Sequence, residues 1–383
     1  MSSVAQFLHQ VLERSGRYRP AIVSLATSSR DPNSVRLVAP GSWRRGARCT
    51  AGEWQGLPYR HIGAILAELE FQRYQPRRCL TELLAEFDLI QVVAGTPAWA
   101  LVTREVGRPV CLFVATTVRM ERVARLKRLR GWRKLWLAAM TRAVTAIELA
   151  ALRHTACVFA ESSYTRQLLA PLVPPERLVL SVPGIDTAFF RPGDYRYDGP
   201  LLSVGRWGDP RKNCRMLFAA YARLIQALPA APKLILAGAT APSPEDLTFA
   251  RSLGIERRVE IHVDLSREAL RDLFQEASLF VLPSEEEGLG IVIIEAMACG
   301  LPVISTRCGG PETAVVEGET GYLTPVGDAQ ALANRMAELI EAPELRRRMG
   351  QAGRRVAEQR FSLEAAGKVY LDKYDELLSA RRP

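Results

Sequence analysis

The sequence predicts an α/β protein of two domains, each built on a parallel sheet. Three observations carry that expectation. The chain has 383 residues, too many for one ordinary core and suited to two domains of roughly 100–200 residues each. Short apolar runs that read as buried strands alternate with longer helical patterns along both halves. Residues 279–305 read as strand, glycine-containing turn, helix and strand, which makes a parallel crossover unit.

Composition narrows the class. With 48% hydrophobic and 24% charged residues, the chain has ample apolar material for two cores. A net charge of +10 points to an anionic partner: a nucleotide, a phospholipid head group or a nucleic acid. Gln6, His9 and Gln10 interrupt the first apolar set, so no secretory pattern is expected. No apolar run is expected to reach membrane-spanning length. Residues 143–160 come nearest, broken by Glu148, Arg153 and His154. Seven cysteines lie scattered without a Cys-x-x-Cys pair, which fits a reduced, cytoplasmic setting. The four histidines are far apart and predict no metal site.

In chain order, Val4, Phe7, Leu8, Val11 and Leu12 stand at helical spacing, and residues 21–26 read as a strand. Residues 62–74 and 78–86 look helical, 89–93 and 110–114 look like strands, and the alternation indicates a parallel sheet. The stretch 119–142 is the most unusual, with nine Lys or Arg against one Glu. Arg128, Arg130, Arg133 and Lys134 are interleaved with Trp132, Trp136 and several leucines. A basic helical stretch with aromatics reads as a membrane-surface element. The plain alternative is a solvated basic face whose apolar residues pack inward. Nucleic-acid binding lacks an accompanying motif.

Residues 149–156 continue helical, 158–160 and 178–180 are short strands, and 194–200 form a linker. The second domain opens with strand 201–204, a loop to Asn213 and helix 214–228. Strand 233–237, a helix capped by Ser243, strand 258–262 and helix 266–276 follow. Helix 291–299 is stopped by Gly300, and helices 328–341, 343–361 and 362–379 close the chain.

The candidate site lies in 284–303, SEEEGLGIVIIEAMACGLPV. In open parallel sheets ligands bind at the carboxyl ends of strands, where this turn lies. Glu287 in the loop and Glu295 about a turn into the helix, with seven residues between them, can face one elongated ligand from two points. Gly288 and Gly290 let the backbone pass close, and the N–H groups at the helix start favour phosphate. A nucleotide sugar has that layout. In the loop after strand 201–204, Arg206 and Lys212 suit a diphosphate: a planar fork and a mobile ammonium. Both Lys212 and Glu295 are expected at an exposed cleft, so replacing either should leave the fold intact.

The run E-G-L-G-I-V-I-I-E-A-M-A-C-G-L-P-V resembles the Glu-x7-Glu signature of retaining glycosyltransferases of family four, which have the GT-B architecture. The resemblance implies two Rossmann-like domains facing a cleft, with residues 1–185 binding the acceptor and 186–361 the nucleotide sugar. It implies that 362–383 form a helix crossing back to the first domain. By resemblance Glu287 contacts the transferred sugar, Glu295 the ribose, and Arg206 and Lys212 the donor diphosphate. Gly205, Gly288, Leu289, Gly290 and Ile291 then line the donor, and Val263 lies where relatives hold the nucleobase. The mechanism implied is front-face attack without a metal or other cofactor, with Glu287, Arg206 and Lys212 as the catalytic set. The acceptor implied is lipid-linked or a glycan. Two departures stand out. The family opens with a strand and a Gly-Gly turn before the helix that here starts near Met1. After residue 114 it often places a His, where this chain has Ala115-Thr116-Thr117. Both departures favour an alternative, a non-catalytic partner subunit with the same fold; the intact Glu287, Glu295, Arg206 and Lys212 argue for the enzyme.

Overall fold

The computed structural model describes residues 2–54, 56–194 and 198–380, and side chains other than Ser2, Ser3, Ala124, Arg125, Lys127 and Arg128. Arg128 of the basic stretch therefore has its side chain outside the described residues. The chain forms two compact units. One comprises Met1–Glu161, Thr165–Ser181 and Lys368–Pro383, the other Ser162–Tyr164 and Val182–Gly367.

The first unit contains helix α1 (Ser2–Ser15), strand β1 (Ile22–Leu25), α2 (Pro40–Arg45), β2 (Cys49–Trp54), β3 (Leu57–Ile62) and α3 (Arg78–Leu84). Then come β4 (Ile90–Ala94), β5 (Val110–Val114), α4 (Val118–Arg128), α5 (Gly131–His154), β6 (Cys157–Ala160), α6 (Ser163–Leu169, of which Ser163 and Tyr164 count to the other unit) and β7 (Leu178–Leu180). Its strands make two sheets rather than the one expected: β1-β3-β2, where β2 and β3 are antiparallel, and the parallel β4-β5-β6-β7. A groove of about 1220 Å³ lies beside β1 and β4, lined among others by Leu8, Ile22, Ser24, Ile90, Val92 and Tyr374.

The expected helix 62–74 is absent. Ile62 is instead the last residue of β3, paired with Leu25 and with Cys49. Gly63 then runs so close to another segment that a Cβ would stand 1.8 Å from Asn33 O. Only Glu70–Tyr74 coil, as a short 3₁₀ turn. At Ile62, pairing with β1 and β2 outweighed the helical spacing of apolar residues.

The basic stretch 119–142 is two helices, because Gly131 takes φ +60° between α4 and α5. By length and composition α5 could cross a membrane, since an 18-residue window within its 24 residues has a mean hydropathy of 1.5. That corrects the expectation drawn from 143–160. Its Leu137, Val144, Ala151 and Leu152 are nevertheless buried in the unit, and Glu148 accepts the Val118 N–H at 2.9 Å. Burial pushes the Glu148 carboxyl up to about 7.

In the second unit, strands β8 (Leu201–Arg206), β9 (Leu234–Thr240), β10 (Val259–Val263), β11 (Leu279–Leu282), β12 (Val303–Thr306) and β13 (Gly321–Thr324) alternate with helices. The helices are α7 (Cys214–Ala227), α8 (Pro244–Ser252), α9 (Arg267–Glu276), α10 (Ile291–Ala298), α11 (Ala329–Glu341), α12 (Pro343–Phe361) and α13 (Leu363–Ser379), whose second half belongs to the first unit. There Tyr370 and Tyr374 are buried against Phe159, and the Tyr374 hydroxyl donates to Gln91 Oε1 at 2.6 Å.

All six strands are parallel, in the order β10-β9-β8-β11-β12-β13. From β8 the chain first builds outward to β10, then returns to β8's other edge and builds outward to β13. The order therefore reverses between β8 and β11. Helices cover both faces, so β11 is an uninterrupted apolar run and every residue of β12, Ser305 and Thr306 included, is buried. Phe280, Ile293 and Ile294 are fully buried, and each such side chain contributes ~1.5–3 kcal/mol.

Candidate functional site

A reversal of strand order leaves a crevice at the carboxyl ends of the two central strands, because the flanking helices diverge to opposite faces. Here those ends are Arg206 of β8 and Leu282 of β11, and the loops that follow them carry Lys212 and Glu287. The loop after β8 is held by local capping. Asp209 accepts from the Arg211 N–H at 3.0 Å and from its guanidinium at 2.8 Å. Burial works to raise the Asp209 carboxyl, but the Arg211 hydrogen bonds and charge outweigh it and hold it below the usual range. Asn213, at φ 49°, starts α7 and accepts the Met216 N–H at 3.3 Å. The Glu285 N–H donates to Arg211 O at 2.7 Å and so ties this loop to the one after β11.

Lys212 Nζ is paired with Glu287 Oε1, which also accepts the Ser284 hydroxyl at 2.7 Å. Their side chains are only 14% and 11% exposed, which corrects the expected open cleft. Glu287 is fixed through its backbone as well: its N–H donates to Cys308 O at 3.3 Å and its O accepts the Gly310 N–H at 2.9 Å. Thr306 Oγ1 donates to Ser284 O at 2.5 Å from the next strand. Arg206 is different. Its side chain is 68% exposed and leans toward Asp209 at 3.8 Å, with no contact to Lys212 or Glu287 among the described residues. The structure thus brings two of the three expected catalytic residues together and leaves the third exposed to solvent.

Gly290, at φ +80°, starts α10 with no side-chain cap; the Ile293 N–H donates to Gly290 O at 2.8 Å, and the N–H groups of Ile291 and Val292 are the ones an anion could take. Leu289 is buried and Gly288 and Ile291 are half-buried. Glu295 lies within α10, half-buried, and burial pushes its carboxyl up to about 7 against the opposing charge of Arg267. Gly205 is approached so closely by β9 that a Cβ on Gly238 would stand 1.8 Å from Gly205 O, which restricts position 238 to glycine. Val263, 48% exposed, ends β10 in register with Gly238, and the Asp264 N–H donates to Gly238 O at 3.0 Å. Gly205, Val263 and Glu287 thus all stand on one edge of the sheet. Among the described residues no group of three His, Cys, Asp or Glu is placed to hold a metal ion.

Sequence reasoning missed Ser284, Asp209 and Arg267. Asp209-Pro210 carries a capping signal that was legible, an acidic residue followed by proline at the first turn. Ser284 and Arg267 carried none, since their roles depend on which side chains the fold brings beside them.

The fold is that of the GT-B glycosyltransferases. Sucrose-phosphate synthase from Thermosynechococcus elongatus is similar with a TM-score of 0.71 at 22% identity, over 98% of this chain and 93% of that one. The Anabaena HepE protein, solved in complex with UDP, is similar with a TM-score of 0.66 at 20% identity, over 82% and 86%. Residues 189–356 match the family described as glycosyl transferases group 1. Among curated relatives, D-inositol 3-phosphate glycosyltransferase 2 of Catenulispora acidiphila is 34% identical over 228 residues, 54% of this chain and 52% of the relative. The chain spans about half the length of the curated relatives it matches.

Proposed function

We propose that the protein is a retaining glycosyltransferase that moves a sugar from a nucleotide-diphosphate sugar to a lipid-linked or glycan acceptor in the cytoplasm. The observation that carries this reading is the cluster at the strand-order reversal. There the buried Lys212–Glu287 pair, the exposed Arg206, the uncapped start of α10 and Glu295 within it gather at the carboxyl ends of the central strands of one sheet. A diphosphate in the crevice would draw the Lys212 ammonium and the Arg206 fork to its oxygens. Sharing Lys212 with the phosphate would release Glu287 to accept a hydrogen bond from a hydroxyl of the sugar. Glu295 would take the ribose, and Val263 would flank the base.

In the transfer, the bond from the anomeric carbon to the phosphate oxygen breaks and the electron pair leaves with the phosphate. The acceptor oxygen bonds to the same face of that carbon, and its proton passes to the departing phosphate. Once drawn to the diphosphate, Arg206 and Lys212 would stabilise the growing negative charge, which lowers the barrier without a metal or other cofactor. The inositol phosphate named for the relative above makes a free polyol phosphate a second acceptor class to test.

Nucleotide sugars screened by thermal shift should include one that raises the melting point by several degrees, since a ligand at 100 times its Kd contributes ~2.7 kcal/mol. With that donor, transfer should survive EDTA and yield the same anomer as the donor. No stabilising nucleotide sugar would overturn the donor assignment. Strict dependence on a divalent metal would overturn the fixed-cation account, and binding without transfer to any acceptor would favour the non-catalytic partner subunit.

A further inference from the structure

We propose that the first two turns of α5 are a docking face for an anionic lipid bilayer. Every residue from 131 to 136 is exposed. Trp132 is 72% exposed, Leu135 73% and Trp136 55%, and burial begins only at Leu137. Spaced i, i+3 and i+4, the three apolar side chains form one stripe on the helix. Such a patch on a soluble surface marks an interaction site, since leaving large apolar groups in water is unfavourable. Arg130, Arg133 and Lys134 border the stripe and have no acidic partner among the described residues, with Arg133 5.6 Å from the Trp132 ring. Arg122, from the same basic stretch, is by contrast paired with Glu70.

Unpaired cations beside tryptophans match the head-group layer of an anionic bilayer, where charge is attracted and indole rings sit at the polar–apolar boundary. A nucleic acid would match the charge but would leave Leu135 and Trp136 facing water. The docking is peripheral. The rest of α5 has Leu137, Val144, Ala151 and Leu152 buried in its unit and Glu148 hydrogen-bonded to Val118, so the helix is not free to span.

This inference stands apart from the donor reading and is tested without any sugar. The full-length protein should co-sediment with phosphatidylcholine vesicles containing phosphatidylglycerol and not with phosphatidylcholine alone. Raising salt should release it. Changing Arg130, Arg133 and Lys134 to Glu should weaken binding by at least about tenfold, as should Trp132→Ala combined with Trp136→Ala. Brominated lipid should quench the tryptophan fluorescence of the parent more than that of the double Trp variant. No binding to anionic vesicles at low salt, or equal binding by parent and variants, would overturn the proposal. So would concentration-dependent self-association lost in the Trp variant without lipid, which would assign the stripe to a second copy of the chain.

Discussion

Exchanging Lys212 for alanine should lower donor-dependent turnover by about 10²–10³-fold, the usual cost of removing one preorganised group that stabilises transition-state charge. It should also lower the melting point, against the expectation that an exposed cleft residue can be removed without touching the fold. Glu287 is 11% exposed, and without Lys212 its carboxylate would keep only the Ser284 hydroxyl among its described partners. Breaking a fully buried pair from one side costs ~3–5 kcal/mol, and the residual exposure and the serine bond place this site below that figure. The double variant with Glu287→Ala removes the stranded charge, so it should recover much of the lost stability and none of the turnover. Two measurements decide the matter, kcat/KM with the identified donor and the melting point of the three variants. Near-normal turnover in the single variant would remove the diphosphate assignment. An unchanged melting point would show that the ion pair contributes nothing to the folded state.

Glu295→Gln should separate stability from function in the opposite sense. Burial raises this carboxyl from 4.5 to about 7, so the folded state keeps a proton that the unfolded chain has lost between those values. Stability from this group is therefore full below about pH 4.5 and falls as the pH rises. Above about pH 7 the cost is complete, at most ~3 kcal/mol for a shift of this size. The glutamine variant carries no such charge. Relative to the parent it should melt higher at pH 8 and close to the parent at pH 5. Donor affinity should move the other way, because a hydrogen bond to a charged acceptor contributes ~1.5–3 kcal/mol, or roughly 10–100-fold, that the amide gives up in part. In the parent, affinity should rise through pH 7 as Glu295 ionises; in the variant it should be lower and flat. Parallel melting curves across pH would overturn the burial of an ionisable group here. Unchanged donor affinity would remove the ribose assignment.

The two units were not equally legible. In the second, the elements are local: each strand is an apolar run and each helix carries its own start and stop signals, such as Ser243 before Pro244 and Gly300 after α10. Period and capping act within a few residues, so the strand–helix order and the placing of Glu287 in a loop and Glu295 in a helix could be read directly. In the first unit, β2 and β3 have few such signals, and pairing with each other and with β1 made Ile62 the end of a strand where spacing favoured the start of a helix. The split of that unit into two sheets likewise depends on neighbours distant in sequence.

The sequence by itself determined which residues could hold a diphosphate sugar: two cations after one strand, two carboxylates around one helix start. Only the tertiary structure decided that Lys212 and Glu287, 75 residues apart, are partners buried together, while Arg206 stays in solvent. It also left Trp132, Leu135 and Trp136 uncovered on a helix whose later turns are core. The reason is the range of the forces. Backbone periodicity and capping are set by adjacent residues, whereas burial, ion pairing and a carboxyl shifted to about 7 are set by whichever segments the folded chain brings alongside.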